Sequence, residues 1–185
     1  MNEREIAICE AAARMFMHYG FKRTGMNDIA REARVARQTL YNAFPNKDAV
    51  LFATTRLFMD RALNEAEREL DGCSDLRQQL AIVFEHVARR PYAMLHASPH
   101  TEDILEGMSV ESRMVVAECN EAFRVVIERL LAPAKGKIRA SGMTVQRLAD
   151  AILHFAIAAK HEARDPAHLD ELLHSLTTMA LRCTA

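Results

Sequence analysis

Arg37, Gln38, Thr39, Tyr41 and Asn42 place five hydrogen-bonding side chains within six positions. Their chemistry suits nucleic acid. An arginine fork pairs bidentately with guanine and a glutamine amide with adenine, whereas threonine and tyrosine hydroxyls suit phosphate oxygens. Leu40 and Phe44 interrupt the polar run at helical spacing, so a helix here turns them inward and leaves the five polar residues on the opposite face. The surroundings are basic. Residues 22–47 hold Lys22, Arg23, Arg31, Arg34, Arg37 and Lys47 against Asp28 and Glu32, whereas the net charge of the 185-residue chain is −1. A basic patch on an otherwise acidic body is the footprint of a protein that meets phosphate with one surface.

The elements that must position this face are helical. Ile6, Cys9, Ala13, Phe16 and Met17 form one stripe over residues 3–19, and Gly20 follows as a C′ glycine with Phe21 placed for a Schellman contact. Thr24-Gly25 opens a second helix at about 26–33, a break at 34–36 follows, and a third helix runs over 37–43 until Pro45 ends it. Two helices of about eight residues joined by a three-residue turn have the size of a helix-turn-helix, whose second helix enters the major groove. Ile29, Ala30, Ala33, Val35, Leu40 and Phe44 supply the apolar contacts that hold the three helices together.

The remainder reads as further helices. Asn46 caps one that runs from Lys47 to about Leu70, before Asp71-Gly72. Ser74 caps another, carrying Leu76, Leu80, Val83, Phe84 and Val87, and Pro91 closes it. Residues 92–108 are less regular, and Ser109 caps a long helix with Val115, Cys119, Phe123, Val126 and Ile127 on its stripe. Residues 133–142 read as a basic loop. Two last helices occupy 144–162 and 166–183, the second opened by Asp165 as N-cap and Pro166 at N1. The expected fold is all-α with about nine helices: a three-helix head at 1–46 and a helical bundle at 47–185.

Composition narrows the function. The chain is 50% hydrophobic with only 6 glycines and 5 prolines, enough to build a helical core without staples. Cys9, Cys73, Cys119 and Cys183 are scattered with no C-x-x-C pair, which suggests free thiols in a reducing cytoplasm. The polar start Asn2-Glu3-Arg4-Glu5 argues against a signal peptide. The apolar stretch 151–159 is far short of the roughly 20 residues that span a bilayer, so no membrane segment is expected. No metal site is expected either: Pro99 lies between His96 and His100, and His168 and His174 do not share a helix face. Without a nucleophile elbow, phosphate loop or H-E-x-x-H motif, neither an enzyme nor a cofactor is expected. Glu102-Asp103 reads as a solvated acidic pair.

The run Phe21-x-x-Thr24-x-x-x-Asp28-Ile29-Ala30-x-x-Ala33-x-Val35-x-x-x-Thr39-Leu40-Tyr41-x-x-Phe44-x-x-Lys47 resembles the signature of the TetR family of bacterial repressors. The resemblance implies a homodimer with an N-terminal head on double-stranded DNA and a C-terminal domain that binds a small-molecule effector. It implies phosphate contacts at Thr24, Thr39, Tyr41 and Lys47, base contacts at Arg37 and Gln38, and either at Asn42. The helices at 144–162 and 166–183 match the family's dimer-forming bundle in position and pattern. Three positions depart from the family. Arg34 stands where glycine is common in the turn, Ala36 where Ser or Thr caps the recognition helix, and Ala43 where an aromatic is common.

The family's effector pocket is only loosely located by this sequence. Phe84, His86, Met94, Met108, Cys119, Phe123, His154 and Phe155 are candidates to line it, and each serves equally well as core. The leading expectation is a sequence-specific transcriptional regulator, a repressor released from a near-palindromic operator by an effector. The departures at Arg34, Ala36 and Ala43 leave open a second reading, a TetR-like helical co-regulator that binds protein or ligand without DNA.

Overall fold

The computed structural model describes residues 1–185 and is helical throughout, with no strand. Its helices are α1 (Glu3–Tyr19), α2 (Met26–Glu32), α3 (Arg37–Ala43), α4 (Lys47–Leu70), α5 (Leu76–Phe84), α6 (Arg90–His96), α7 (Thr101–Glu106), α8 (Val110–Leu131), α9 (Lys135–Ala140), α10 (Val145–Glu162) and α11 (Pro166–Thr184). A π-helical turn at Glu85–Arg89 joins α5 to α6, and a 3-10 turn at Ala132–Ala134 joins α8 to α9. The chain therefore forms nine uninterrupted helical runs.

Local chemistry explains most ends. Asn2 and Glu5 form a reciprocal capping box at α1. Asn46 accepts the Ala49 N–H at α4, and Ser109, Thr144 and Asp165 cap α8, α10 and α11 in the same way. At α5 the cap is Asp75, which accepts the Gln78 N–H, rather than Ser74. Pro91 does not close its helix. The ring has no N–H to donate and crowds the carbonyl four residues back. Just before it the backbone widens, with the Arg90 N–H reaching the Glu85 carbonyl, and the helix continues to His96. Residues 133–142 are likewise helical rather than a loop over most of their length, because Ile138 is fully buried and anchors α9.

The chain divides into two compact units, which differ from a head ending at residue 46. The first comprises Met1–Arg61 and Met94–Glu118, the second Ala62–Ala93 and Cys119–Ala185. In the first, Ile8, Cys9, Phe16, Phe21, Ile29, Leu40, Phe44 and Val50 are buried together, with Ile104 and Met108 packed against them. The extension past residue 46 follows from that packing: α7 and its flanks close one side of the head core. In the second unit, Leu80, Val83, Phe84, Phe123, Ile127, Ile138, Ile152, Leu153, Leu169 and Leu173 are buried. No helix in the structure is long and apolar enough to cross a membrane.

Candidate nucleic-acid interface

The geometry of α3 begins at the connection between α1 and α2. Gly20 ends α1 with φ 86° and ψ 159°, a region only glycine enters at little cost, so the chain turns sharply there. Phe21 then drops into the core with its ring 5.3 Å from Phe16. Thr24 is buried, and its hydroxyl donates to the Gly20 carbonyl at 2.7 Å, closing the turn from which α2 starts. Gly25 and Asp28 complete that start, the carboxylate accepting the Gly25 N–H at 3.0 Å.

The connection is gripped from two distant parts of the sequence. From α4, the Lys47 ammonium lies 4.3 Å over the Phe21 ring and donates to the Phe21 carbonyl at 2.6 Å. From α7, Asp103 accepts the Lys22 backbone N–H at 2.9 Å, and Glu106 accepts the Lys22 ammonium at 2.7 Å. The Lys22 backbone N–H holds the Asp103 carboxyl below the ordinary aspartate range. Ser98 adds a bond from its hydroxyl to the Met17 carbonyl near the end of α1. Two glycines make this approach feasible. A Cβ on Gly20 would lie 2.6 Å from the Asp103 carboxylate, and one on Gly107 would lie 2.3 Å from the Phe21 ring.

Between α2 and α3 the backbone forms a full Schellman motif. The Val35 N–H donates to the Ala30 carbonyl and the Arg34 N–H to the Arg31 carbonyl. The motif requires a left-handed residue at its C′ position, and Arg34 supplies it with φ 54°. For a residue with a Cβ this conformation costs about 1–2 kcal/mol. Ala36 gives α3 no side-chain cap, so the seven-residue helix depends on tertiary packing, chiefly the complete burial of Leu40.

With Leu40 inward, Arg37, Gln38, Tyr41 and Asn42 are exposed and Thr39 is half-buried. Gln38 and Asn42 are coupled, the Gln38 amide N–H donating to the Asn42 side-chain oxygen at 2.8 Å. This i,i+4 bond holds both amides ready and leaves the Gln38 oxygen and the Asn42 NH₂ free to meet base edges. Thr24 and Lys47 do not share this open face. Thr24 turns inward onto Gly20, and the Lys47 ammonium is engaged on Phe21. Both therefore brace the head in this structure.

The expected pocket residues do not assemble as a set. Met94 and Met108 fall in the first unit, where Met94 is 46% exposed and Met108 packs on the head core. His154 and Phe155 face outward from α10, Phe155 being 62% exposed, because Ile152, Leu153 and Ala156 take the inward positions of that helix. Phe84, His86, Cys119 and Phe123 remain buried in the second unit. His86 sits in the π turn, with its Nε2 3.3 Å from Glu69 and its Nδ1 3.5 Å from Arg90. Asp103 is not the solvated acid that its neighbour Glu102 suggests. Its partner lies 81 residues away, and only the folded chain reveals it.

Residues 8–64 match the family described as "Bacterial regulatory proteins, tetR family". The match covers the head and most of α4, and in that region the chain is similar to the tetR family. The regulator HbdR of Aromatoleum sp. (strain CIB) is 35% identical over 72 residues, covering 39% of this chain and 31% of that protein. The probable regulator ArpR of Pseudomonas putida is 29% identical over 137 residues, covering 68% and 65%. The chain spans about a third of the length of the first curated relatives it matches. Among solved structures, NemR of E. coli in its reduced form superimposes with TM-score 0.73 at 12% identity, over 96% of each chain. FadR of Bacillus subtilis in complex with stearoyl-CoA does so with TM-score 0.67 at 17% identity, over 97% of this chain and 99% of that one. At these identities the likeness establishes the all-α fold alone.

The Asp103 contact has a pH signature. A carboxyl held below its ordinary 3.8 contributes stability that is present above that value and lost as pH falls through the folded value. Asp103→Asn is expected to lower the melting temperature by about 2–4 °C at pH 7. The gap from the unsubstituted chain should close as the pH falls below the ordinary aspartate value. Thermal scans at pH 7 and at about pH 2, well below the ordinary value, measure it, and equal melting temperatures at pH 7 would remove the carboxylate's role.

Proposed function

We propose that this chain is a regulator of the tetR family, a sequence-specific DNA-binding repressor that leaves a near-palindromic operator when a small-molecule effector binds. The observation that carries the reading is the open face of α3, where Arg37, Gln38, Tyr41 and Asn42 stand exposed on a locally basic head. Arg37 and Gln38 are assigned to base edges, and Thr39 and Tyr41 to phosphates. Asn42 contributes to either through its coupled amide. Thr24 and Lys47 act by holding the turn that orients α3, and Lys47 adds positive charge beside the phosphates. The reading without DNA is not favoured: the α3 face is open, and the relatives are helix-turn-helix regulators rather than enzymes. A cytoplasmic location goes with this function.

The effector site is assigned to the second unit, around Phe84, His86, Cys119 and Phe123, with His86 and its Glu69–Arg90 neighbours as the polar element. A displacement of α4 would reach the head at Lys47, whose ammonium holds the Phe21 carbonyl. The ligand acts only through its preference for the conformation that does not bind DNA. Two chains pair through α10 and α11, which together leave Phe155 and Met179 more than half exposed. Covering two such half-exposed side chains on each protomer contributes about 1–2 kcal/mol per side chain. Two heads then meet successive major grooves, with half-sites about one helical turn or a multiple apart.

A salt titration of the full chain against its own upstream DNA tests the DNA reading. The logarithm of affinity should fall linearly with the logarithm of salt, and a flat response would contradict a phosphate grip. Tyr41→Phe should weaken binding to every sequence alike, while Arg37→Ala should also relax the preference at one base position. Intact specific binding in both variants would overturn these residue assignments.

For pairing, Phe155→Glu combined with Met179→Glu should give monomers by light scattering and abolish operator binding. Because both side chains are exposed, the protomer fold should survive the change. An unchanged dimer mass would place the interface elsewhere.

A further inference from the structure

We propose that Arg34 is a phosphate anchor of the DNA interface, an inference that rests on the DNA-binding reading above. The Schellman motif between α2 and α3 forces the backbone of residue 34 into the left-handed region, at φ 54°, and no other non-glycine residue of the chain takes positive φ. The other three positive-φ positions, Gly20, Gly72 and Gly142, are all glycine. The two backbone bonds that build the motif, Arg34 N–H to Arg31 and Val35 N–H to Ala30, need no side chain at position 34. Glycine would therefore make the same turn with less strain, and strain held at one residue points to a use for its side chain.

Nothing inside the protein supplies that use. Arg34 is exposed, and its guanidinium has no intramolecular hydrogen bond or ion pair. Several other basic side chains of the head are engaged: Arg14 with Glu32, Lys22 with Glu106, Arg31 with Asp28 and Lys47 with the Phe21 carbonyl. Arg23, Arg34 and Arg37 are left as open guanidinium groups, and of these Arg34 and Arg37 stand on either side of the α3 N-cap, Ala36. Arg37 lies on the face that reads bases, and Arg34 lies in the turn that leads into it. A guanidinium at such a flank suits the backbone beside the groove, binding a phosphate bidentately and carrying no base preference.

The test compares the unsubstituted chain with Arg34→Gly and Arg34→Lys. The probes are a duplex enriched by selection on the unsubstituted chain and a mixed-sequence duplex of the same length, titrated by fluorescence anisotropy over a range of salt. Arg34→Gly should melt about 2 °C or more higher, since the left-handed strain is relieved. It should nevertheless bind both duplexes about tenfold more weakly. Its salt slope should be shallower by about one unit per chain. Arg34→Lys should retain most of the slope. Undiminished affinity and slope in Arg34→Gly would overturn the proposal alone, as would a loss confined to one base position. Absence of salt-dependent DNA binding by the unsubstituted chain would overturn the DNA reading and this proposal with it.

Discussion

The head depends on how one short connection, Gly20 to Thr24, is held. Phe21 anchors it by burying its ring against Phe16, and that burial presents the Phe21 carbonyl to Lys47 and the Lys22 N–H to Asp103. Each contact ties a separate part of the chain to the same four or five residues: α1 through Gly20, α2 through Thr24, α4 through Lys47 and α7 through Asp103 and Gly107. Helix α3 has no cap of its own and only seven residues, so it cannot hold its orientation alone. Its outward face is a consequence of Leu40 entering a core whose other walls are set by that connection.

This arrangement makes the turn a natural point of control. Charged partners on either side of Phe21 come from helices remote in sequence, and both act on backbone groups. A small movement of Lys47 or Asp103 therefore changes the path of the main chain itself, and with it the start of α2. Side-chain contacts on the surface, such as Lys22 with Glu106, are exposed and add little to stability by comparison.

Much of this was legible in the residues. Apolar periodicity located the helices, glycine and Asx or Thr caps marked most of their ends, and the charge between 22 and 47 singled out α3. The misreadings have physical causes. Pro91 is read as a terminator because the local rule does not foresee a π turn that absorbs it. Thr24 and Lys47 match a phosphate-contact pattern, and the fold adds a role that the pattern does not foresee: their groups also bond backbone carbonyls of the turn. Phe155 carries the signature of core, and only the positions of Ile152, Leu153 and Ala156 decide that it faces out. Asp103 is illegible locally, because a carboxylate's partner 81 residues away leaves no mark on its neighbours. The strain at Arg34 was the reverse case. The departure from glycine was visible in the sequence, and the Schellman bonds explain why the left-handed angle is obligatory there.

The measurement that bears most directly on the account is selection of bound sequences by the full chain from a randomised duplex library. A rigidly presented α3 face on each of two paired chains predicts enrichment of a two-fold symmetric motif, with half-sites about one helical turn or a multiple apart. A bound pool indistinguishable from the starting library, or a motif without symmetry, would contradict it.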